Sequence, residues 1–336
     1  MKRIILISIS FLFLVSLARA DFDNVGTSVL TFLKIPVDAR GSAMGGASSA
    51  MVNDVSALYY NPAGVARLEG AQLMFSNVDW ISDLKLNYLS AAYHFGNIGT
   101  FGINVTYLSM GKMKLTDWKD PTGSGIKFDA HDLCLGLAYA RELTDRFSFG
   151  TQIKILQEKI YTSYANGFAI DFGFQYDTPF KGLRLGMAMK NLGSKVRMDG
   201  TNLIGKGQYY EENPQTPNDI PYYLETKEWN IPLSFQFGLA WDVISGEKYK
   251  ITATSDFIDE NDQDQRFQVG GEFNFLNMAF LRAGYNPQYE DSNGLNFGGG
   301  LAYHLRNSPY GFNLDYAYSD LGYFDPVHRF TFTFKF

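Results

Sequence analysis

Apolar and polar residues alternate strictly over much of this chain. The pattern is sharpest near position 336, where Phe330, Phe332, Phe334 and Phe336 interleave with Thr331, Thr333 and Lys335. A period of two places the phenylalanines on one face of a β-strand and the polar residues on the other. Upstream, Ile231, Leu233, Phe235, Phe237, Leu239 and Trp241 alternate with Asn230, Pro232, Ser234, Gln236, Gly238 and Ala240. Likewise Phe168, Ile170, Phe172, Phe174 and Tyr176 alternate with Ala169, Asp171, Gly173, Gln175 and Asp177. Fourteen strands are predicted: Ala71–Asn77, Lys85–Phe95, Thr100–Ser109, His131–Leu143, Phe147–Tyr164, Gly167–Asp177, Leu183–Leu192, Asn230–Val243, Tyr249–Phe257, Arg266–Phe275, Met278–Tyr285, Leu295–Leu305, Tyr310–Ser319 and His328–Phe336. Most have the length a tilted strand needs to cross a bilayer. A row of exposed phenylalanines would promote aggregation in water but suits lipid. Small and polar residues on the other face point to a lumen rather than to a second packed sheet.

The connections alternate in length. Those after even strands are short: Gly96–Gly99, Thr144–Arg146, Thr178–Gly182, Ile244–Lys248, a tight Leu276-Asn277, and Arg306–Pro309. Those after odd strands include Met110–Ala130, Gly193–Trp229, Ile258–Gln265, Asn286–Gly294 and Asp320–Val327, although one link, at Ala165-Asn166, reads as tight. Outer-membrane barrels have short periplasmic turns and longer external loops. The expectation is therefore an all-β fold, a 14-stranded antiparallel transmembrane β-barrel in the bacterial outer membrane, with the C-terminus periplasmic. Gly193–Trp229 carries Tyr209, Tyr210, Tyr222 and Tyr223 with Pro214, Pro217 and Pro221. It reads either as a recognition loop or lid, or as a solvated loop shielding the rim.

Composition sharpens this picture. Lys2 and Arg3, the apolar run Ile4–Leu17 and Ala18-Arg19-Ala20 read as a signal peptide over residues 1–20, with Asp21 as the first mature residue. No later run is long and apolar enough for a membrane helix. Aromatic residues make up 16% of the chain, with 28 Phe and 21 Tyr, which fits lipid-facing strands and interfacial girdles. Without Lys2, Arg3 and Arg19, the 29 basic residues fall to 26 against 35 acidic ones, so nucleic acid is not an expected partner. Cys134 is the only cysteine. His94, His131, His304 and His328 lie on different predicted strands and lack metal-site spacing. Asp259–Asp264 resembles a calcium loop in composition only and reads as a solvated external loop. No catalytic residue, metal or cofactor is expected. By parity, Lys154, Asp171, Arg184, Lys190, Glu272, Arg282 and Asp315 point inward, either as a selectivity path or as ion pairs that hold something in the lumen.

Residues 21–70 do not read as strands. A barrel of fourteen strands is too wide for its own side chains to fill, and this small-residue segment is suitable material for a plug, leaving 71–336 as the barrel. Its motif comprises Arg40, Gly45, Gly46, Asp54, Asn61, Pro62, Ala63 and Gly64. The glycine pair is not followed by the Lys-Ser/Thr of a phosphate loop. The succession Phe32-Leu-Lys-Ile-Pro-x-x-Ala-Arg40, Met44-Gly-Gly-Ala47 and Asp54-x-x-Ala-x-x-x-Asn-Pro-Ala63 resembles the N-terminal signature of the PorV/PorQ family, which is similar to the FadL-type transporters. The aromatic closing strand Phe330–Phe336 likewise resembles an outer-membrane assembly signal, read by the barrel assembly machinery. The family resemblance implies a plugged barrel that shuttles secreted cargo proteins or attends the translocon in type IX secretion. Its FadL side implies a channel for a hydrophobic small molecule, with an apolar pocket beside the plug and a kinked or interrupted wall strand.

Overall fold

The computed structural model describes residues 25–116, 118, 120–123, 125–209, 218–288, 292–305, 308 and 310–336. The expected signal peptide, residues 1–20, lies outside the described residues, as do Tyr210, Pro214 and Pro217 of the longest loop. Fourteen strands form the wall: β1 Ala71–Asp79, β2 Lys85–His94, β3 Thr100–Ser109, β4 Ala130–Thr144, β5 Phe147–Ile160, β6 Ser163–Asp177, β7 Leu183–Gly193, β8 Ser234–Ser245, β9 Tyr249–Glu260, β10 Gln263–Phe275, β11 Ala279–Tyr285, β12 Leu295–His304, β13 Gly311–Ser319 and β14 Val327–Lys335. Each pairs antiparallel with its neighbours, and β1 pairs with β14 from Gln72↔Lys335 to Asp79↔His328, closing the barrel. The seam ends where Ala71 and Phe336 exchange backbone hydrogen bonds of 3.1 and 2.9 Å. Closure leaves no edge, the condition for backbone in lipid.

Alternation decides which way each side chain points. Phe330, Phe332 and Phe334 are over 40% exposed on the outer face, whereas Thr331 and Thr333 are buried inside. At the short-turn end the outward aromatics touch one another, as in Tyr93–Phe95–Phe101–Tyr139 and Tyr310–Phe336. At the long-loop end Tyr107 lies against His131 and Tyr316 against His328. Such belts suit the two membrane interfaces.

Three connections differ from the expected ones. The link between β5 and β6 turns at Tyr161-Thr162, with Tyr161 at φ 56°, so Ala165 and Asn166 belong to β6. The acidic run is not a solvated loop. β9 and β10 extend to a two-residue turn at Asn261-Asp262, because Glu260 pairs inward with Arg266 at 3.0 Å and Asp262 with Lys34 at 2.9 Å. The longest loop carries regular structure: the hairpin Ile204–Tyr209/Asn218–Tyr223, and Asp199–Gly200 paired onto β6.

Inside the wall lies the segment 25–70. It runs through a 3-10 turn at Thr31–Lys34, α1 (Ala39–Ala43), α2 (Ala57–Tyr60) and a second 3-10 turn at Pro62–Arg67. Its sequence sets its local form. Asp38 caps α1 by accepting the Gly41 N–H at 3.0 Å. Asn61 accepts the Ala63 N–H at 3.1 Å, ahead of Pro62 at the first helical position. Val37, Ala39, Ala43, Met44, Ala47, Val55 and Ala57 are wholly buried.

Candidate functional site

The contact between plug and inner wall is built first from glycines. Gly150, Gly173, Gly186, Gly238, Gly270, Gly284 and Gly298 face inward on seven different strands. A Cβ on Gly173 would collide with Asn61 and Pro62, one on Gly186 with Ser49, and one on Gly284 with Met44 and Gly45. At Gly270 it would sit 2.5 Å from the Met44 carbonyl oxygen. Glycine within a strand weakens the strand but admits close approach of another backbone. These positions were not singled out from the sequence. Their signal is glycine recurring at inward parity in strands that otherwise alternate cleanly. On the plug side, Gly45 and Gly46 take φ of 69° and 86°, and Gly45 packs against the Tyr285 backbone.

Polar groups then fasten the two parts. Arg40 donates to Asp54 at 2.9 Å and forks onto Glu272 at 3.0 and 3.2 Å. Glu272 also accepts from Arg282 at 2.7 Å, and Arg282 donates to Asp315 at 2.6 Å. Five charges from the plug and three wall strands thus form one chain of alternating sign, in which each charge touches an opposite one. Burial alone would raise the Asp54 carboxyl, but Arg40 and the hydrogen bonds from Ser56 outweigh it and hold Asp54 below the ordinary 3.8. Burial does dominate at Asp38, whose carboxyl is pushed up despite the Gly41 amide and the Tyr60 hydroxyl.

Neutral contacts continue the fastening. Asn61 donates to the Ser49 and Phe174 carbonyls at 2.7 and 3.0 Å. Gln175 donates to the Val52 carbonyl at 2.9 Å, and Asp256 accepts the Ser48 and Ser49 amides at 3.1 and 2.9 Å. Thr331 accepts the Ala39 amide at 2.8 Å, and Arg329 donates to the Pro36 carbonyl at 3.2 Å. Pro62, Ala63 and Gly64 are buried in this contact. At the short-turn end, Arg67 bridges Glu142 at 2.9 Å and Asp177. Gln175 was placed on the polar face but not singled out, and Asp256, Arg329 and Arg67 were missed, although Asp256 and Arg329 share the inward parity of their strands.

The remaining predicted charges divide. Arg184 pairs with Asp242 at 3.0 Å near the short-turn end, within the wall. Lys154 contacts Asp171 at 2.5 Å and Asn191 at 3.0 Å, and Asp171 accepts the Asn191 amide at 2.7 Å. These groups surround an irregularity: Asn191 has φ 61°, and the β6–β7 register shifts between Ile170 and Phe172. Beyond it β8 does not begin until Ser234, after Pro232, and the plug residue Ser28 pairs in parallel with Asn230. Lys190, beside this kink, is buried with its ammonium over the Tyr59 ring, 4.6 Å from the centroid.

Two inner cavities border the plug. One, of about 30 Å³, is lined by Lys190, Tyr59, Gln236, Glu260, Arg266 and Gln268 among others. The second, of about 10 Å³, lies by Phe32, Tyr88 and Lys154. A larger apolar hollow of about 580 Å³ lies on the lipid-facing wall around Gly299, Leu281 and Phe330. Neither of these two inner cavities has the size of the apolar pocket beside the plug that a FadL-like channel would offer; the larger is small and mostly polar. The kinked strand is present.

Solved structures share this architecture at low sequence identity. The Pseudomonas putida toluene transporter TodX is 13% identical, with a TM-score of 0.55 over 94% of this chain and 99% of its own. The Ralstonia pickettii toluene transporter TbuX is 11% identical, with a TM-score of 0.54 over 89% and 97%. The CymD monoaromatic hydrocarbon channel is 13% identical, with a TM-score of 0.51 over 94% and 99%. These likenesses concern the fold. No curated protein matches the chain. The family model for type IX secretion system protein PorV matches residues 18–213, spanning the plug and the first seven wall strands. With its closed fourteen-strand barrel and filled lumen, this outer-membrane chain belongs to the PorV family.

Proposed function

We propose that the protein is a non-enzymatic component of type IX protein secretion, acting as a cargo shuttle or a translocon-associated barrel. The observation that carries this reading is the family match over residues 18–213. In the proposed arrangement residues 1–20 are removed, 21–70 form the plug and 71–336 the barrel, with the long loops external and the C-terminus periplasmic. The ion-pair chain from Arg40 to Asp315 locks the plug, so the work is done at the rim rather than through the lumen. Apolar side chains stand out there: Tyr222, Tyr223 and Leu224 at the end of the long hairpin, and Tyr323 and Phe324 between β13 and β14. They suit contact with secreted cargo or with the translocon. Co-purification from native outer membranes, with mass spectrometry of proteins and lipids, tests the reading. Recovery of cargo with its sorting domain, or of translocon subunits, is the expected result. A source genome without type IX machinery would sink it.

A second reading, a FadL-like channel for hydrophobic small molecules, is favoured by the kink at Asn191 and the late start of β8. The same mass spectrometry separates the two: a stoichiometric hydrophobic ligand without protein partners selects the channel.

A further inference from the structure

Lys190 differs from four other cations of the lumen. Lys34 has Asp262, Lys154 has Asp171, Arg266 has Glu260, and Arg282 has Glu272 and Asp315. Lys190 is only 6% exposed and, among the described residues, makes no ion pair or hydrogen bond; its ammonium lies over the face of Tyr59. The carboxylates nearest in charge, Asp171 and Glu260, are already engaged by Lys154 and Arg266. Both Glu260 oxygens are taken by the Arg266 fork, at 3.0 and 3.1 Å.

Arg266 lines the same cavity as Lys190; its two terminal nitrogens bond Glu260, and its buried Nε has no acceptor among the described residues. Gln236 and Gln268 add side-chain amides to the lining. The space measures about 30 Å³. A single water needs roughly 10–15 Å³ on this measure, so the cavity admits one small ion or the end of a carboxylate. A buried ammonium without a counter-ion is costly, and an ammonium bordering a void of this size, with side-chain amides in the same lining, supplies what an anion requires.

We propose that this cavity binds one monovalent anion of halide or carboxylate size, with Lys190 as its counter-ion. The site stands independently of the secretion reading, since it rests only on the charge balance around Lys190. An anion that binds the folded barrel alone raises its thermal stability by mass action. The test uses full-length barrel in detergent, moved from chloride into the salt of a bulky sulfonate, whose head group is larger than the cavity, at constant ionic strength. Bromide or acetate is then titrated, and the temperature at which the heat-modifiable band is lost is read from gels. A saturable rise is expected in the wild type, and no rise in Lys190→Met. A rise with bromide alone assigns an inorganic ion, one with acetate alone assigns a ligand carboxylate, and either supports the site. A wild-type midpoint that is identical in the bulky sulfonate, bromide and acetate overturns the proposal, as does an undiminished rise in Lys190→Met. Should that variant fail to fold, bromide-soaked wild-type crystals decide: an anomalous peak beside Lys190 Nζ supports the site, and its absence, with no acetate density there either, overturns it.

Discussion

At Gly173 there is room for a hydrogen atom and for nothing larger, because Asn61 and Pro62 of the plug occupy the adjoining space. Gly173→Val therefore drives a side chain into backbone and a proline ring that have nowhere to move. The expected cost is at or above the roughly 1–3 kcal/mol of ordinary overpacking, read as a lowered heat-modification midpoint. Gly271 provides the control. It has no atom within 4 Å of an added Cβ, so Gly271→Ala should leave the midpoint unchanged. This contrast shows what residue-level reading of the sequence could and could not reach. Parity alone gives an expectation of which charges point inward, because a charge facing lipid would be prohibitive. It did not identify the glycines, because a lone glycine in a strand reads equally well as weakness, bulge or close approach. Only the backbone lying against it decides among these. Nor could parity show that Arg40 would meet both Asp54 and Glu272, since those residues are far apart in sequence.

Among the elements, β14 shows how strongly the two faces of one strand differ. Phe332 lies midway along it with its ring toward lipid, while Thr331 and Thr333 on either side are buried within. Phe332→Lys should cost about 2–4 kcal/mol, the range for a basic residue at the bilayer midplane, measured by refolding into vesicles. Thr333→Ser should be near neutral. Strands with this alternation were legible in the sequence, and the structure reproduces their number and order. The misreadings fall where the alternation continues past the expected membrane boundary. Glu260 and Asp262 look like solvated loop residues, but they are held by Arg266 and by Lys34 of the plug. A plug extends the polar interior, and with it the strands, beyond what loop composition suggests. The helical turns of the plug were not legible as helices. They span four to six residues each and owe their form to burial and to the caps at Asp38 and Asn61 rather than to intrinsic propensity.

For the whole molecule, the question is whether the barrel is a pore with a stopper. The inner cavities beside the plug are of water size, whereas the wall has fourteen strands, a girth that its own side chains cannot fill. Deleting residues 25–70 should therefore turn a silent barrel into a conducting one in planar bilayers. A plug-deleted barrel that folds, by heat modifiability, and stays silent would count against this. The overall design was legible because strand number and connection length are properties of the entire chain, little affected by errors at single boundaries. What fills the lumen was legible only as a segment with the wrong pattern for a wall.

The hydrogen-bond exchange between Ala71 and Phe336 joins positions 265 residues apart in the chain. It also sets an order in time. The plug is synthesised before any part of the wall, and the seam cannot be sewn until the final strand exists. A plug pressed against seven wall glycines could not be threaded through a finished cylinder with gaps of water size. The plug is in effect a mandrel: the sheet wraps around it, and the last stitch traps it.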